Sequence, residues 1–161
     1  MSEPSPTLTA TDHAGVKVPP PLLYVAGIGL SFLLQALLPL GSWPQRVGII
    51  LALPCLGLGF ALCAWAIGLF RRARTSLIPI VPSAVLVAEG PYRFTRNPMY
   101  LGLALVYTGV ALWFQLSWGL LLLPVVLGFV HYSVILREER YLERRFGEAY
   151  LHYRTQVRRW L

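Results

Sequence analysis

The side chains best suited to chemistry fall in two clusters in the second half of the 161-residue chain. The first cluster groups tyrosines and arginines around an Asn-Pro pair, and consists of Tyr92, Arg93, Arg96, Asn97, Pro98 and Tyr100. The second is the adjacent acidic pair Glu138 and Glu139. Arginines and the N–H groups of a helix start favour a carboxylate or phosphate, whereas two carboxylates require cationic partners.

The Asn-Pro pair also has a local structural explanation. Asn97 is a favoured N-cap residue, and Pro98 suits the first position of a helix, where its missing N–H costs nothing. The sequence therefore predicts that a helix begins here with Asn97 as its cap. Capping does not explain why Tyr92, Arg96 and Tyr100 are grouped around the same point.

The acidic pair lies on a stripe of apolar residues at helical spacing. The members of this stripe are Leu127, His131, Ile135, Glu138, Leu142 and Phe146, with Glu139 at its border. Neither acid has a lysine or arginine three or four residues away, so a solvated helix face with local ion pairs explains them poorly. Glu143 differs, because Arg140 precedes it by three residues and predicts an ordinary surface pair.

Composition indicates a membrane protein. Hydrophobic residues make up 56% of the chain and charged residues only 13%. Four apolar stretches approach the length needed to cross a bilayer, at about residues 21–40, 47–70, 99–116 and 118–136. The expected fold is therefore an all-α membrane protein with four transmembrane helices and a short C-terminal interfacial helix. Buried helices of a soluble bundle are the alternative, but they would leave too few polar residues to cover the outside.

The arrangement of charge predicts topology rather than nucleic-acid binding. Lysine and arginine concentrate between the second and third apolar stretches and in the C-terminal region. By the positive-inside rule both termini are expected to be cytoplasmic, in the inner membrane if the source is bacterial. Residues 1–20 are expected to form a disordered cytoplasmic tail rather than a cleaved signal peptide, and residues 21–161 a single domain. No metal site is expected, because the three histidines have no ligand spacing.

Two further patterns concern packing. In the second apolar stretch, Gly57 with Ala61 and Ala64 with Gly68 form small faces that predict close helix contact. Cys55 and Cys63 are too far apart on one helix to form a disulfide. Near the C-terminus, aromatic and apolar residues at helical spacing predict an amphipathic helix lying in the membrane interface, and these residues are Tyr150, Tyr153, Val157 and Trp160.

Three motifs in order carry a family resemblance over about residues 84–161. They are Gly90-Pro-Tyr-Arg-x-x-Arg-Asn-Pro-Met-Tyr-Leu-Gly102, then Glu138-Glu139, then Phe146-Gly-x-x-Tyr-x-x-Tyr-x-x-x-Val157. The chain thereby resembles the isoprenylcysteine carboxyl methyltransferase family, whose wider group includes phospholipid N-methyltransferases. The resemblance implies an integral membrane methyltransferase that takes S-adenosylmethionine from the cytoplasm and a lipid-like acceptor from the bilayer.

The resemblance also implies roles for individual residues. The cofactor-binding set is Ala84, Val85, Leu86, Val87, Tyr92, Asn97, Pro98, Met99, Tyr100, Glu138 and Glu139. The catalytic set is Arg96, Glu139 and Tyr153. The substrate-binding set is Arg93, Arg137 and Arg159. A carboxylate acceptor would need no base, whereas an amine or phenol would, with Tyr153 or Glu139 as candidates. Relatives often have histidine at Asn97, and Val134 stands where eukaryotic prenylcysteine enzymes place a substrate-binding arginine.

Two other functions compete with methyl transfer. One is an NADPH-dependent membrane reductase of the sterol-reductase type, although no glycine-rich dinucleotide loop is visible. The other is a non-catalytic membrane protein that retains the fold. For a methyltransferase, the acceptors left open are a lipidic carboxylate, an aminophospholipid, an isoprenoid quinol precursor and a small foreign molecule. The sequence does not define an oligomeric state.

Overall fold

The computed structural model describes residues 18–73 and 86–160, and these parts of the chain are helical. The α-helices are α1 (Pro20–Leu37), α2 (Gln45–Arg72), α3 (Pro98–Trp113), α4 (Ser117–Val130), α5 (Leu136–Phe146) and α6 (Glu148–Gln156). A 3-10 turn spans Gly90–Arg93, and a π-helical turn, here called the wide turn, spans His131–Ile135. Of the predicted tail at residues 1–20, residues 1–17 lie outside the described residues, and Pro20 already begins α1.

Three helices have the length and composition to cross a membrane. They are α1, α2 and the continuous 30-residue helix Ser117–Phe146, which joins α4, the wide turn and α5. The apolar α3 has only 16 residues. The all-helical membrane prediction is confirmed, but only three of the four predicted spans reach this length.

Small residues allow α2 and α3 to pack closely. A Cβ atom added at Gly59 would lie 2.8 Å from the carbonyl oxygen of Gly102. A Cβ atom added at Gly109 would lie 3.1 Å from the carbonyl oxygen of Ala52. The prediction that Gly57 and Gly68 lie at close helix contacts is wrong, because no atom lies within 4 Å of a Cβ atom added at either residue. Two residues advance a helix by about 200°, so Gly57 lies on the opposite side from Gly59.

Hydrogen bonds between the connecting segments fix one end of the bundle. The indole of Trp43 donates to the Leu112 carbonyl at 3.2 Å, and the Gln45 side chain donates to the Trp113 carbonyl at 2.9 Å. Across the same end, the Trp118 indole donates to the Leu38 carbonyl at 2.8 Å. The end of α1, the start of α2, the end of α3 and the start of α4 are thereby held at one level.

At the opposite end, α3 begins well short of the end of α2. The start of α3 is level with Cys63, whose thiol lies 3.7 Å from the Met99 carbonyl. The last turns of α2 therefore pack against the 3-10 turn, where the rings of Phe70 and Tyr92 are 5.5 Å apart. Gly90 has a φ of +58°, and a Cβ there would lie 2.7 Å from Leu69, so glycine is needed on both counts.

The wide turn changes which residues of the last long helix face the core. The buried residues are Gly119, Val126, Val130, Val134, Ile135, Glu139 and Tyr141. Of the predicted stripe, Ile135 is buried, Leu127 and Leu142 pack partly buried against the core, and His131 is partly buried. The five-residue hydrogen-bonding pattern adds a residue to one turn, so no single helical period describes the entire face.

The apolar face of the C-terminal helix packs on the protein, and its position in the membrane interface stays a prediction. Tyr150, Tyr153 and Val157 are buried in a cluster with Leu86 and Phe146 as partly buried neighbours. The helix ends at Gln156, and Trp160 lies beyond it against the main core. The amphipathic pattern thus corresponds to a helix whose apolar face packs against other parts of the same chain.

We expect Gly59→Ala to destabilise the protein by about 1–3 kcal/mol, because the added methyl group meets backbone atoms of α3. Thermal unfolding in detergent measures this effect. The matched control is Gly57→Ala on the same helix, where the space is open and stability should be unchanged or slightly higher. Equal melting temperatures for the two variants would contradict the packing described here.

Candidate functional site

The first turn of α3 contacts α5 through a tyrosine–carboxylate hydrogen bond. The Tyr100 hydroxyl donates to Oε1 of Glu138 at 2.7 Å, and the Tyr100 side chain is buried. Helix α1 holds the backbone of the same turn, because the Tyr24 hydroxyl donates a hydrogen bond to the Tyr100 carbonyl at 3.0 Å. Glu138, itself partly buried, is thus fixed against the start of α3.

Glu139 is held by two arginines from distant parts of the chain. Arg159 donates from Nε to Oε1 at 2.8 Å and from Nη2 to Oε2 at 2.7 Å, which is a bidentate pair. Nη1 of Arg96 lies 3.0 Å from Oε1 of the same carboxylate. Hydrogen bonding to Glu139 raises the pKa of Arg159. The cationic partners missing from the local sequence are supplied by tertiary structure.

The C-terminal segment, Val157–Trp160, runs beside the residues that precede α3. The Arg96 amide donates to the Arg158 carbonyl at 2.9 Å. The Arg159 carbonyl accepts from the Thr95 hydroxyl at 3.1 Å and from the Asn97 side-chain amide at 2.9 Å. The prediction of Asn97 as a side-chain cap is therefore wrong: it occupies the N-cap position without a capping hydrogen bond, since its side chain binds the C-terminal segment.

Three buried tyrosines complete the site. The Tyr153 hydroxyl donates to the Tyr92 carbonyl at 2.7 Å, which ties α6 to the 3-10 turn. Nη1 of Arg96 donates to the Tyr150 hydroxyl at 3.4 Å. Burial raises the pKa values of Tyr92, Tyr150 and Tyr153, so their hydroxyl groups stay protonated at neutral pH.

Arg96 has one buried polar atom without a hydrogen-bond partner in the described part of the chain. Its Nε is buried and has no hydrogen-bond partner among the described residues, although Nη1 contacts Glu139. Buried donors are seldom left without an acceptor. The orphaned N–H beside the first turn of α3 therefore suits an anionic group, because the N–H groups of that turn have no partners within the helix.

Most of the predicted site residues converge here. The structure brings together Tyr92, Arg96, Asn97, Pro98, Met99, Tyr100, Glu138, Glu139, Tyr153 and Arg159. Leu86 and Val87 are half-buried, and Leu86 packs on the α6 cluster. Arg93 and Arg137 are exposed instead, and Ala84 and Val85 lie outside the described residues.

Sequence reasoning missed Tyr24 and Tyr150 as partners of the site. Tyr150 lies in the third motif, Phe146–Val157, and this position could have indicated its role. Nothing in the sequence near Tyr24 links α1 to Tyr100. The expected pairing of Glu143 with Arg140 is also wrong. Glu143 lies 3.5 Å from Arg154, and Arg140 donates to the Leu136 carbonyl.

Fold and site together define a helical integral membrane protein with a buried cluster of carboxylates, arginines and tyrosines at one end of its bundle. The family model described as Phospholipid methyltransferase matches residues 47–149, which is more than half of the chain. The protein belongs to the phospholipid methyltransferase family, and this membership implies methyltransferase activity at a membrane. The match favours neither a reductase nor a dinucleotide site.

One relative is similar over a shorter region. An uncharacterised protein of Haemophilus influenzae is 40% identical over 63 residues, which cover 39% of this chain and 100% of that protein. No solved structure matches the chain. Among the described residues, no group of three His, Cys, Asp or Glu side chains could hold a metal ion.

We expect Glu139→Gln to destabilise the protein by about 3–5 kcal/mol, because it leaves Arg96 and Arg159 without their shared counterion. Thermal unfolding and protease cleavage of the C-terminal segment measure the loss. Glu143→Gln is the control on the same helix, and it should cost no more than about 1 kcal/mol because its pair with Arg154 is half-exposed. If both variants unfold alike, Glu139 does not organise the site.

Proposed function

We propose that the protein transfers a methyl group from S-adenosylmethionine to an amphiphilic acceptor at the membrane boundary. The observation that carries this proposal is the contact between Glu138 and the first turn of α3, in a chain of the phospholipid methyltransferase family. This contact brings the Glu138 carboxylate close to Arg96, whose Nε has no partner among the described residues, and to the buried Tyr92 and Tyr100.

The residues present fit the charged groups of S-adenosylmethionine. Its carboxylate would be held by Nε of Arg96 and by the N–H groups that open α3. Its ammonium group would be held by Glu138, which has a hydrogen bond from Tyr100 but no ion pair among the described residues. The rings of Tyr92 and Tyr100 can attract a sulfonium cation, as they do other cations. Leu86, Val87 and Met99 would provide apolar walls.

S-adenosylmethionine supplies an activated methyl group whose leaving group needs no further assistance from the protein. The chain itself has to orient the acceptor and exclude water. The hydrogen bonds that join α3, α5, α6 and the C-terminal segment make the site rigid enough for orientation. Burial of Tyr92 and Tyr100 limits access of water from within the bundle.

The geometry does not favour either predicted general base. The Tyr153 hydroxyl donates to a carbonyl and has a raised pKa, and both oxygens of Glu139 accept hydrogen bonds from Arg159. We therefore propose that Tyr153 and Glu139 position the site, and that Arg159 binds Glu139 rather than the acceptor. The acceptor is then a group that offers a lone pair without proton removal, such as a carboxylate or a neutral amine.

Equilibrium binding of S-adenosylmethionine to the detergent-purified protein tests the proposal. We expect Glu138→Gln to weaken binding about tenfold or more, because a hydrogen bond to a charged group is lost from a partly buried site. Glu143→Gln, which alters a half-exposed carboxylate on the same helix, should bind as the wild type does. Absence of binding by the wild type, or equal binding by all three proteins, would refute the proposal.

Tyr153→Phe separates positioning from base catalysis. We expect transfer of radiolabelled methyl groups into a lipid extract to fall less than about tenfold, with an unchanged pH profile, because only the hydrogen bond to Tyr92 is lost. General base catalysis typically contributes about 100-fold to 10,000-fold. A loss of that size would instead establish Tyr153 as the base, provided that the wild-type rate increases toward alkaline pH and this increase disappears in the variant.

A further inference from the structure

A groove runs along the outward side of the last long helix, at the wide turn. Its volume is about 490 Å³, and its lining consists of Val125, Gly128, Phe129, Tyr132, Ser133 and Arg137. Phe129 and Tyr132 are exposed by 64% and 72%. The helix spans a membrane, so this side meets lipid rather than water.

Local features make the groove shallow, open and apolar. Gly128 has no atom within 4 Å of its Cβ position, so the floor is open at that point. The Ser133 hydroxyl donates to the Phe129 carbonyl within the same turn, which leaves the groove little free polarity. The wide turn spaces the flanking aromatic rings differently from a regular helix.

The charged end of the groove favours an anion. Arg137, Arg140 and Arg144 are all exposed on α5. The three acids of this helix are engaged elsewhere: Glu138 with Tyr100, Glu139 with Arg96 and Arg159, and Glu143 with Arg154. Arg137 carries five N–H donors, so it can bind an anionic group while keeping its contacts within the protein.

We propose that this groove is a binding site for an anionic membrane lipid. One hydrocarbon chain lies along Val125, Gly128 and Phe129, and the headgroup meets Arg137. From Val125 to Arg137 the helix rises about 18 Å, which accommodates a large part of one chain of a bilayer leaflet. The site is distinct from the proposed cofactor site, because Arg137 is exposed whereas Glu138 faces Tyr100.

Photocrosslinking of the purified full-length chain tests this proposal without S-adenosylmethionine. The probe is phosphatidic acid with a diazirine on one acyl chain, diluted into phosphatidylcholine vesicles that contain the protein. The comparison probe is phosphatidylcholine with the same diazirine. Mass spectrometry quantifies label on the peptide that carries Val125–Ser133. We expect phosphatidic acid to label it about fivefold more than phosphatidylcholine does, because of its charge near Arg137.

Glycine variants provide matched controls for the groove. Gly128→Leu should reduce labelling about tenfold, because the new side chain occupies the space of the lipid chain. Gly57→Leu adds the same side chain at another open helical glycine, on α2, and should label as the wild type does. Arg137→Gln should remove the preference for phosphatidic acid and leave the labelling by phosphatidylcholine unchanged.

Three results would overturn the proposal: equal labelling by the two probes, undiminished labelling of Gly128→Leu, or an equal loss in Gly57→Leu. Binding of S-adenosylmethionine by the same preparations separates this inference from the proposed function. If the protein shows no lipid selectivity but still binds S-adenosylmethionine, only the lipid-site proposal is refuted. Intact lipid selectivity without cofactor binding refutes the methyltransferase proposal and leaves the groove standing.

Discussion

The carboxylate of Glu139 is the interaction on which the rest of the site depends. It lies 7% exposed between Arg96, which precedes α3, and Arg159 of the C-terminal segment. Three stretches that are far apart in the chain therefore share one buried charge centre. A buried carboxylate with two arginines is stable only while both remain, so the start of α3, α5 and the C-terminal segment are ordered together.

This arrangement divides the work of the acidic pair. Glu139 forms ion pairs that hold the protein together, whereas Glu138 accepts a hydrogen bond from the neutral hydroxyl group of Tyr100. Adjacent residues on a helix point about 100° apart, so two neighbouring carboxylates can have different surroundings. The structural role of Glu139 and the ligand-binding role proposed for Glu138 are thus separated by a single step along α5.

Hydrophobic runs and motif spacing are local signals, so the sequence predicts the helices, their order and most of the residues that the structure brings together in the candidate site. It could not predict which side of α2 packs, since an apolar helix in a membrane is nearly uniform and only contact with α3 distinguishes Gly59 from Gly57. The wide turn at His131–Ile135 leaves no clear mark in composition. The sequence does not reveal the ion-pair partners of Glu139, because only folding brings Arg96 and Arg159 next to it.

The shortness of α3 determines the depth of the site. Sixteen residues rise about 24 Å, which is about 6 Å less than the hydrocarbon thickness of a typical bilayer. Its far end is level with the neighbouring helices, so the whole mismatch falls at Asn97, while α2 continues nine residues beyond Cys63. The floor of the site is therefore sunk below the surface of the membrane. The amphiphilic acceptor proposed above would reach that depth by lateral movement within its own leaflet.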